Sequence, residues 1–254
     1  MTERAFVIGN GKSRRHFELK RLKGKGTVYG CNALYRDTFV KNNWDLPDYL
    51  VAIDDKIITE IESSNFPSQR FIVPPVEEQF EPVDYHLELS GIDKRGLMIN
   101  NPGLMEQIQT PRSNAGMNAM SEAIKRGAKQ VYVFGFDFIL ATEDSTTNVY
   151  EGTNAYGPET AAGHADSVNR TKYMNWFASK NHDVAFIFVM ENKQPLRLNP
   201  LNEPNLRGMF YEEFENEVLA IPEPENKKVK NLDSGVSEPE VDNSTEYNFM
   251  KYAD

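Results

Sequence analysis

The 254-residue chain has one cysteine, Cys31, four histidines and two tryptophans. A lone cysteine excludes an internal disulfide framework and a cysteine-ligated zinc cluster, and it fits a reducing compartment. No apolar stretch approaches the roughly 20 residues a transmembrane helix needs, so no membrane span is expected. The first residues are charged and run straight into a strand pattern, which argues against a signal peptide and for a cytoplasmic protein. Positive charge is short: 28 Lys and Arg stand against 38 Asp and Glu, a formal net charge of −10. Apolar residues still make up 39 %, with 11 tyrosines and 15 phenylalanines, which is enough for a globular core.

The charge is unevenly spread. Residues 1–26 carry eight Lys and Arg (Arg4, Lys12, Arg14, Arg15, Lys20, Arg21, Lys23, Lys25) against Glu3 and Glu18. Residues 212–254 carry twelve Asp and Glu against four lysines. The acidic end reads as a tail rather than a property of the core. The basic stretch reads either as a solvated helix face or as a surface that draws in phosphate or nucleic acid.

Strand and helix patterns alternate. Short β-branched and aromatic runs at 4–8, 26–30, 49–53, 70–73, 130–135 and 184–189 read as strands buried on both faces. Helical patterns lie at 12–22, 33–41, 55–63, 114–126 and 165–180, with Gly127 where a C-terminal cap belongs. The alternation predicts a single α/β domain over residues 1–219, a doubly wound, Rossmann-like, mostly parallel sheet. Residues 138–163 are too long for an ordinary connection and read as a lid-like loop. From residue 220 the composition turns to Pro, Glu, Lys, Asp and Ser and predicts a disordered acidic tail.

In an open α/β sheet, ligands bind beyond the carboxyl ends of the strands. Polar residues collect there. Gly9, Asn10, Gly11 and Ser13 follow the first strand, Asn32 the second, Asp54 and Asp55 the third, and Asp137 the fifth. A glycine turn between strand and helix points backbone N–H groups outward beside a helix N-terminus, which suits phosphate. The start of the 114–126 helix, with Arg112, Asn114 and Gly116, offers a second such place. Each residue also has a plainer role: Asn10 as a residue tolerant of left-handed backbone, Asn32 as a helix cap, Asp137 as a support for a neighbour. Of the histidines, His16, His86 and His182 read as solvent-facing. His164 ends the long loop just before a helix, where a general base would stand at a pocket rim. Tyr150 and Tyr156, in the loop, can hydrogen-bond a leaving phosphate.

The set Val7-Ile8-Gly9-Asn10-Gly11-Lys12-Ser13, Gly30-Cys31-Asn32, Arg112 with Gly116, Val131 to Phe138 and Gly163-His164-Ala165 resembles the bacterial sialyltransferases that extend lipooligosaccharide. It is also similar to their wider group, the motility-associated-factor glycosyltransferases and 6-hydroxymethylpterin diphosphokinase-like proteins. The resemblance spans roughly residues 4–190, in unchanged order. It implies that Asn10 and Asn32 bind a cytidine nucleotide sugar, that His164 is the general base, and that Tyr150 or Tyr156 touches the leaving phosphate. The chain departs from the family pattern at Lys12, where proline is usual, and at Asn114-Ala115, where the family has Thr-Ser. Asp54 stands near a family asparagine.

The expectation is therefore a glycosyltransferase moving a sugar from a nucleotide-sugar donor to a hydroxyl acceptor such as a glycan. Donor phosphate lies over Gly9–Gly11 and the 112–116 helix start, with Arg112 stabilising the departing nucleotide. No cofactor is required on this scheme. The alternatives are diphosphate transfer from ATP with Mg²⁺ at Asp54 or Asp55, a non-catalytic nucleotide-binding protein, and a glycosyltransferase acting on modified bases in nucleic acid. An oligomer is compatible with all of these.

Overall fold

A computed structural model of the chain describes residues 3–74, 114–140, 147–158, 164–191 and 201–220, apart from the side chains of residues 164–166, 168 and 169. The chain divides into two units, Met1–Glu223 and Pro224–Asp254, and the described residues all belong to the first.

Seven strands form one sheet: β1 (Arg4–Ile8), β2 (Thr27–Cys31), β3 (Tyr49–Val51), β4 (Phe71–Ile72), β5 (Gln130–Phe134), β6 (Ala185–Met190) and β7 (Leu206–Phe210). Every pair is parallel, in the order β4-β3-β2-β1-β5-β6-β7. The α/β expectation holds, and the sheet is wholly rather than mostly parallel. Among the described residues the α-helices are α1 (Asp55–Ser63), α2 (Ala115–Lys125), α3 (His164–Lys180) and the single turn α4 (Tyr211–Phe214).

Alternation along the strands divides the core between two faces. Ala5 and Val7 of β1 point to one, where they meet Val131, Val133, Met117 and Met120 of α2, and Met174 and Phe177 of α3. Phe6 and Ile8 point to the other, with Tyr132, Phe134, Ile57 and Ile61 of α1, and Phe214. Both faces of the strands are thus covered, which is why they read as unbroken apolar runs.

Two expectations need correction. The 12–22 segment is not an α-helix; it makes two short 3₁₀ turns, Lys12–Arg14 and Leu19–Leu22. Its Phe17 turns inward onto Phe134 at 4.8 Å and Tyr211 at 5.2 Å, so its register follows core contacts and not a continuous helical face. Within the 33–41 helix, Arg36–Lys41 is π-helical. Residues before the expected tail pack on the core: Phe214 is fully buried and meets Phe6, Tyr132 and Phe134 edge-on, and Val218 is buried too. The seventh strand, β7, is an edge strand whose Arg207 and Gly208 are exposed, so it lacks the apolar run that marks the others.

Candidate functional site

The strand order reverses at β1. From there the chain builds outward through β2 to β4, then returns to β1's other side with β5 and continues to β7. The crevice at such a reversal lies beyond the carboxyl ends of the two central strands, and it is the usual ligand position in an open parallel sheet. Here it falls between the turn after β1, Gly9–Ser13, and the turn after β5, Gly135–Asp137.

That crevice is filled by the chain itself. Gly9 N–H donates to Phe134 O (2.8 Å) and Gly11 N–H to Gly135 O (2.8 Å), so both glycine amides are already satisfied. The Ser13 N–H donates to Asp137 Oδ2 (2.9 Å), and the Ser13 hydroxyl donates to Asp137 Oδ1. A carboxylate of the protein therefore sits where donor phosphate was expected over Gly9–Gly11. The glycines are required by packing: a Cβ at Gly9 would stand 2.6 Å from Gly135 O, and one at Gly11 2.6 Å from Asp137 Oδ2. With no α-helix following, the dipole invoked for this turn is missing too. The N–H groups of Gly9, Gly11 and Ser13 are thus taken by protein acceptors, with Asp137 supporting Ser13.

One strand over, the arrangement is different. Asn32, directly after β2, adopts the left-handed region at φ 50°, whereas Asn10 does not. Asn10 Nδ2 donates to the Tyr156 hydroxyl (3.1 Å), and Asn32 and the Ala33 N–H stand near it. Burial pushes the Tyr156 phenol up to about 12, so it is a neutral hydroxyl near neutral pH. Asn32 Nδ2 also donates to Asp54 Oδ2 (3.2 Å), and Asp54 sits at the N-cap of α1 without a side-chain cap bond. The Oδ1 atoms of both Asn10 and Asn32 are buried and have no hydrogen-bond partner. Exchanging O and N of either carboxamide changes which atom is left over, not that one is left. A buried acceptor without a partner costs about 1–3 kcal/mol, and two on neighbouring strand ends mark a place built for something else.

Of the expected 138–163 lid, Phe138 and Ile139 are instead buried in a 3₁₀ turn after β5, and residues 147–158 lie docked on this edge. Val149 N–H donates to Asn10 O (2.8 Å), and Asn148 bridges Gly11 in antiparallel register. Two clasps hold the loop, and neither was foreseen from sequence. In the first, buried Arg14 donates through Nε to Gly9 O (2.7 Å) and through Nη2 to the Tyr150 hydroxyl (2.8 Å). Tyr150 in turn donates to Asp37 Oδ2 (2.7 Å). Its hydroxyl is used up within the protein, and burial raises its pKa well above the usual phenol range. Tyr150 is thus a pin, not a hydroxyl aimed at a leaving phosphate. In the second clasp Arg36 meets Glu60 through Nε and Nη2, both at 2.6 Å, and reaches Thr153 Oγ1 (2.8 Å) and Asn154 O (2.9 Å). Its guanidinium lies over the Tyr150 and Tyr156 rings at 5.6 and 5.7 Å. Arg36 and Glu60 come from elements with no sequence relation, so no spacing signal pairs them.

The remaining expectations distribute as follows. Asn114 caps α2, its side chain accepting from Met117 N–H at 3.0 Å, and Gly116 is buried where any Cβ would strike the Phe136 ring. Arg112 lies outside the described residues. His164 begins α3, and its side chain is likewise outside them. Cys31 is buried, which pushes its thiol up to about 12 and makes it a poor nucleophile. The basic stretch is largely neutralised: Lys12 pairs with Glu151 (3.0 Å), Arg21 with Glu215 (2.5 Å) and Lys23 with Asp45 (2.9 Å). Among the described residues no three His, Cys, Asp or Glu side chains gather as a metal site, and no helix is long and apolar enough to cross a membrane. Neither a protein-family model, a curated protein nor a solved structure matches the chain.

Proposed function

We propose that the chain binds a nucleotide at the carboxyl ends of β1 and β2, and that it transfers a sugar from a nucleotide sugar to a hydroxyl acceptor. The observation that carries this reading is the Asn10–Asn32 pair. An N–H donor of Asn10 meets the Tyr156 oxygen, Asn32 and the Ala33 N–H stand near it, and the two carboxamide oxygens accept nothing. A pyrimidine edge or a ribose diol supplies the matching set, one or two oxygens to accept and N–H or O–H groups to donate. The Tyr156 hydroxyl stands in for the ligand oxygen, so ligand entry requires the 147–158 loop to lift and exchange one oxygen for the other. The resemblance read from Gly9-Asn10-Gly11 and Gly30-Cys31-Asn32 points to the same two asparagines and to a cytidine nucleotide. Transfer is argued from that resemblance, and binding from the geometry.

The test is thermal-shift screening of the full chain against CMP, UDP, GDP, ADP and their sugars. One nucleotide should stabilise the protein by about 2.7 kcal/mol at a hundredfold excess over its Kd. Asn10→Ala and Asn32→Ala should each abolish that gain while folding cooperatively. Wild-type binding by both variants would remove the site from this edge.

A further inference from the structure

A second pair of side chains stands farther along the same carboxyl edge. His16 Nδ1 lies 3.2 Å from both carboxylate oxygens of Glu191, the residue that follows β6. The His16 side chain is 63 % exposed and that of Glu191 30 %, so the outer ring nitrogen faces solvent while the inner one is held. A carboxylate at Nδ1 fixes the tautomer with hydrogen there and leaves the Nε2 lone pair outward, the form a general base needs.

The backbone beneath His16 is fixed. Arg14, two residues before it, is buried and bonded to Gly9 O, and Phe17, the next residue, is buried against Phe134 and Tyr211. The Tyr211 hydroxyl donates to Ser13 O, tying the same turn to the end of β7. A small, mostly apolar cavity lies between the ends of β5 and β6, lined by Ser13, Phe136, Asp137, Leu140, Phe188 and Met190, the last of which precedes Glu191. From Asn10 to Glu191 is two strand spacings, about 10 Å, the scale that separates a nucleoside from the sugar it carries.

We propose that His16 is the base that deprotonates the acceptor hydroxyl, with Glu191 as its positioning residue; this rests on the nucleotide-sugar reading above. In the step, His16 Nε2 takes the proton of the acceptor O–H as that oxygen bonds to the anomeric carbon. The bond from that carbon to the donor phosphate oxygen breaks, and the nucleotide leaves with the electron pair. The imidazolium, held by Glu191, then returns its proton to water. This assigns to His16 the role that the resemblance gave to His164.

The test uses the full chain, CMP-, UDP- and GDP-sugars as donors, nucleotide release as the rate, and calorimetry for nucleotide binding. His16→Ala should lower kcat by about 10²–10⁴-fold with nucleotide Kd unchanged, and added imidazole should restore part of the rate. His16→Asn should behave as His16→Ala does and guards against a folding defect. Glu191→Gln should lower kcat without raising KM, and the ¹⁵N shifts of the His16 ring should show loss of the Nδ1–H tautomer. A surface ion pair with no catalytic part would give none of these. Nucleotide binding with wild-type turnover in His16→Ala, or with the whole loss in His164→Ala instead, overturns the dyad and leaves the nucleotide site standing. Binding with no turnover of any donor also overturns the dyad. Absence of binding by any nucleotide overturns the site reading, and the dyad with it.

Discussion

The Asp137 carboxylate receives both the backbone N–H and the hydroxyl of Ser13, joining the turn after β5 to the turn after β1. This contact closes the crevice that the strand order creates, and it does so with a charge. Asp137 is 5 % exposed, and its removal leaves the two donors of half-buried Ser13 without their acceptor. Asp137→Ala should cost about 3 kcal/mol of unfolding free energy, measured by urea denaturation, and Ser13→Ala clearly less. Equal stability of Asp137→Ala and wild type would mean the contact is incidental.

A second prediction concerns the acidic end. Phe214 is fully buried among Phe6, Phe17, Tyr132 and Phe134. Phe214→Ala should destabilise the domain by about 3–5 kcal/mol. Truncation after Ala220 removes a stretch with few apolar residues and should leave the thermal midpoint nearly unchanged. Truncation after Phe210 should abolish cooperative unfolding, because it strips Phe214 and Val218 from the core. Identical melting of the two truncations would show that the packed turn contributes nothing.

Glu60 gives a pH dependence with a definite sign. The Arg36 guanidinium, helped by Tyr35 and Asn154, holds its carboxyl down to about 2 from an ordinary 4.5. A carboxyl depressed in the folded state stabilises it fully above the unfolded value, and that contribution is lost as pH falls from 4.5 towards 2. The clasp over residues 147–158 should therefore loosen in that window and be insensitive to pH between 6 and 8. Glu60→Gln should lower stability by roughly 1–2 kcal/mol at neutral pH and flatten the acid limb. Hydrogen exchange of amides 149–156 reads the loop directly. An unchanged acid limb in the variant would assign it to other carboxylates.

β1, β2, β3, β5 and β6 were legible because each is an interior apolar run, and the half-buried edge strand β4 because it ends the short apolar run 70–73; Leu206–Phe210, at the other edge with Arg207 exposed, has no such run. Asn10 and Asn32 were legible as a pair because each follows a strand, and strand ends in a parallel sheet share one edge. The fate of Gly9 and Gly11 was not legible. A glycine turn looks the same in sequence whether it cradles a phosphate or admits a neighbouring carboxylate, and here the neighbour is Asp137, 124 residues away. Arg14 illustrates the same limit from the other side. Its charge counted towards a basic face, yet its guanidinium is buried between Gly9 O and Tyr150, a partner 136 residues distant. Local pattern gives strand position; it does not give which polar groups long-range packing will already have consumed.

The most discriminating prediction concerns Tyr156. In the docked loop its hydroxyl accepts from Asn10 Nδ2, and so competes with any ligand oxygen for that donor. Tyr156→Phe keeps the ring, which packs on Tyr150 at 5.7 Å and lies under Arg36 at 5.7 Å, and removes only the oxygen. The docked state then leaves the Asn10 donor without an acceptor, a penalty of about 1–3 kcal/mol, while the lifted state hydrates it at no such cost. Stability should fall by that amount, and amides 149–156 should exchange faster. Nucleotide affinity should rise by roughly 5- to 100-fold, because the variant no longer has to give up a protein hydrogen bond to admit the ligand. The resemblance implies the opposite sign, since a tyrosine that touches the leaving phosphate loses affinity or turnover with its hydroxyl. Calorimetry on Tyr156→Phe separates the two: tighter binding shows the hydroxyl as a stand-in for ligand, and weaker binding shows it as a ligand contact.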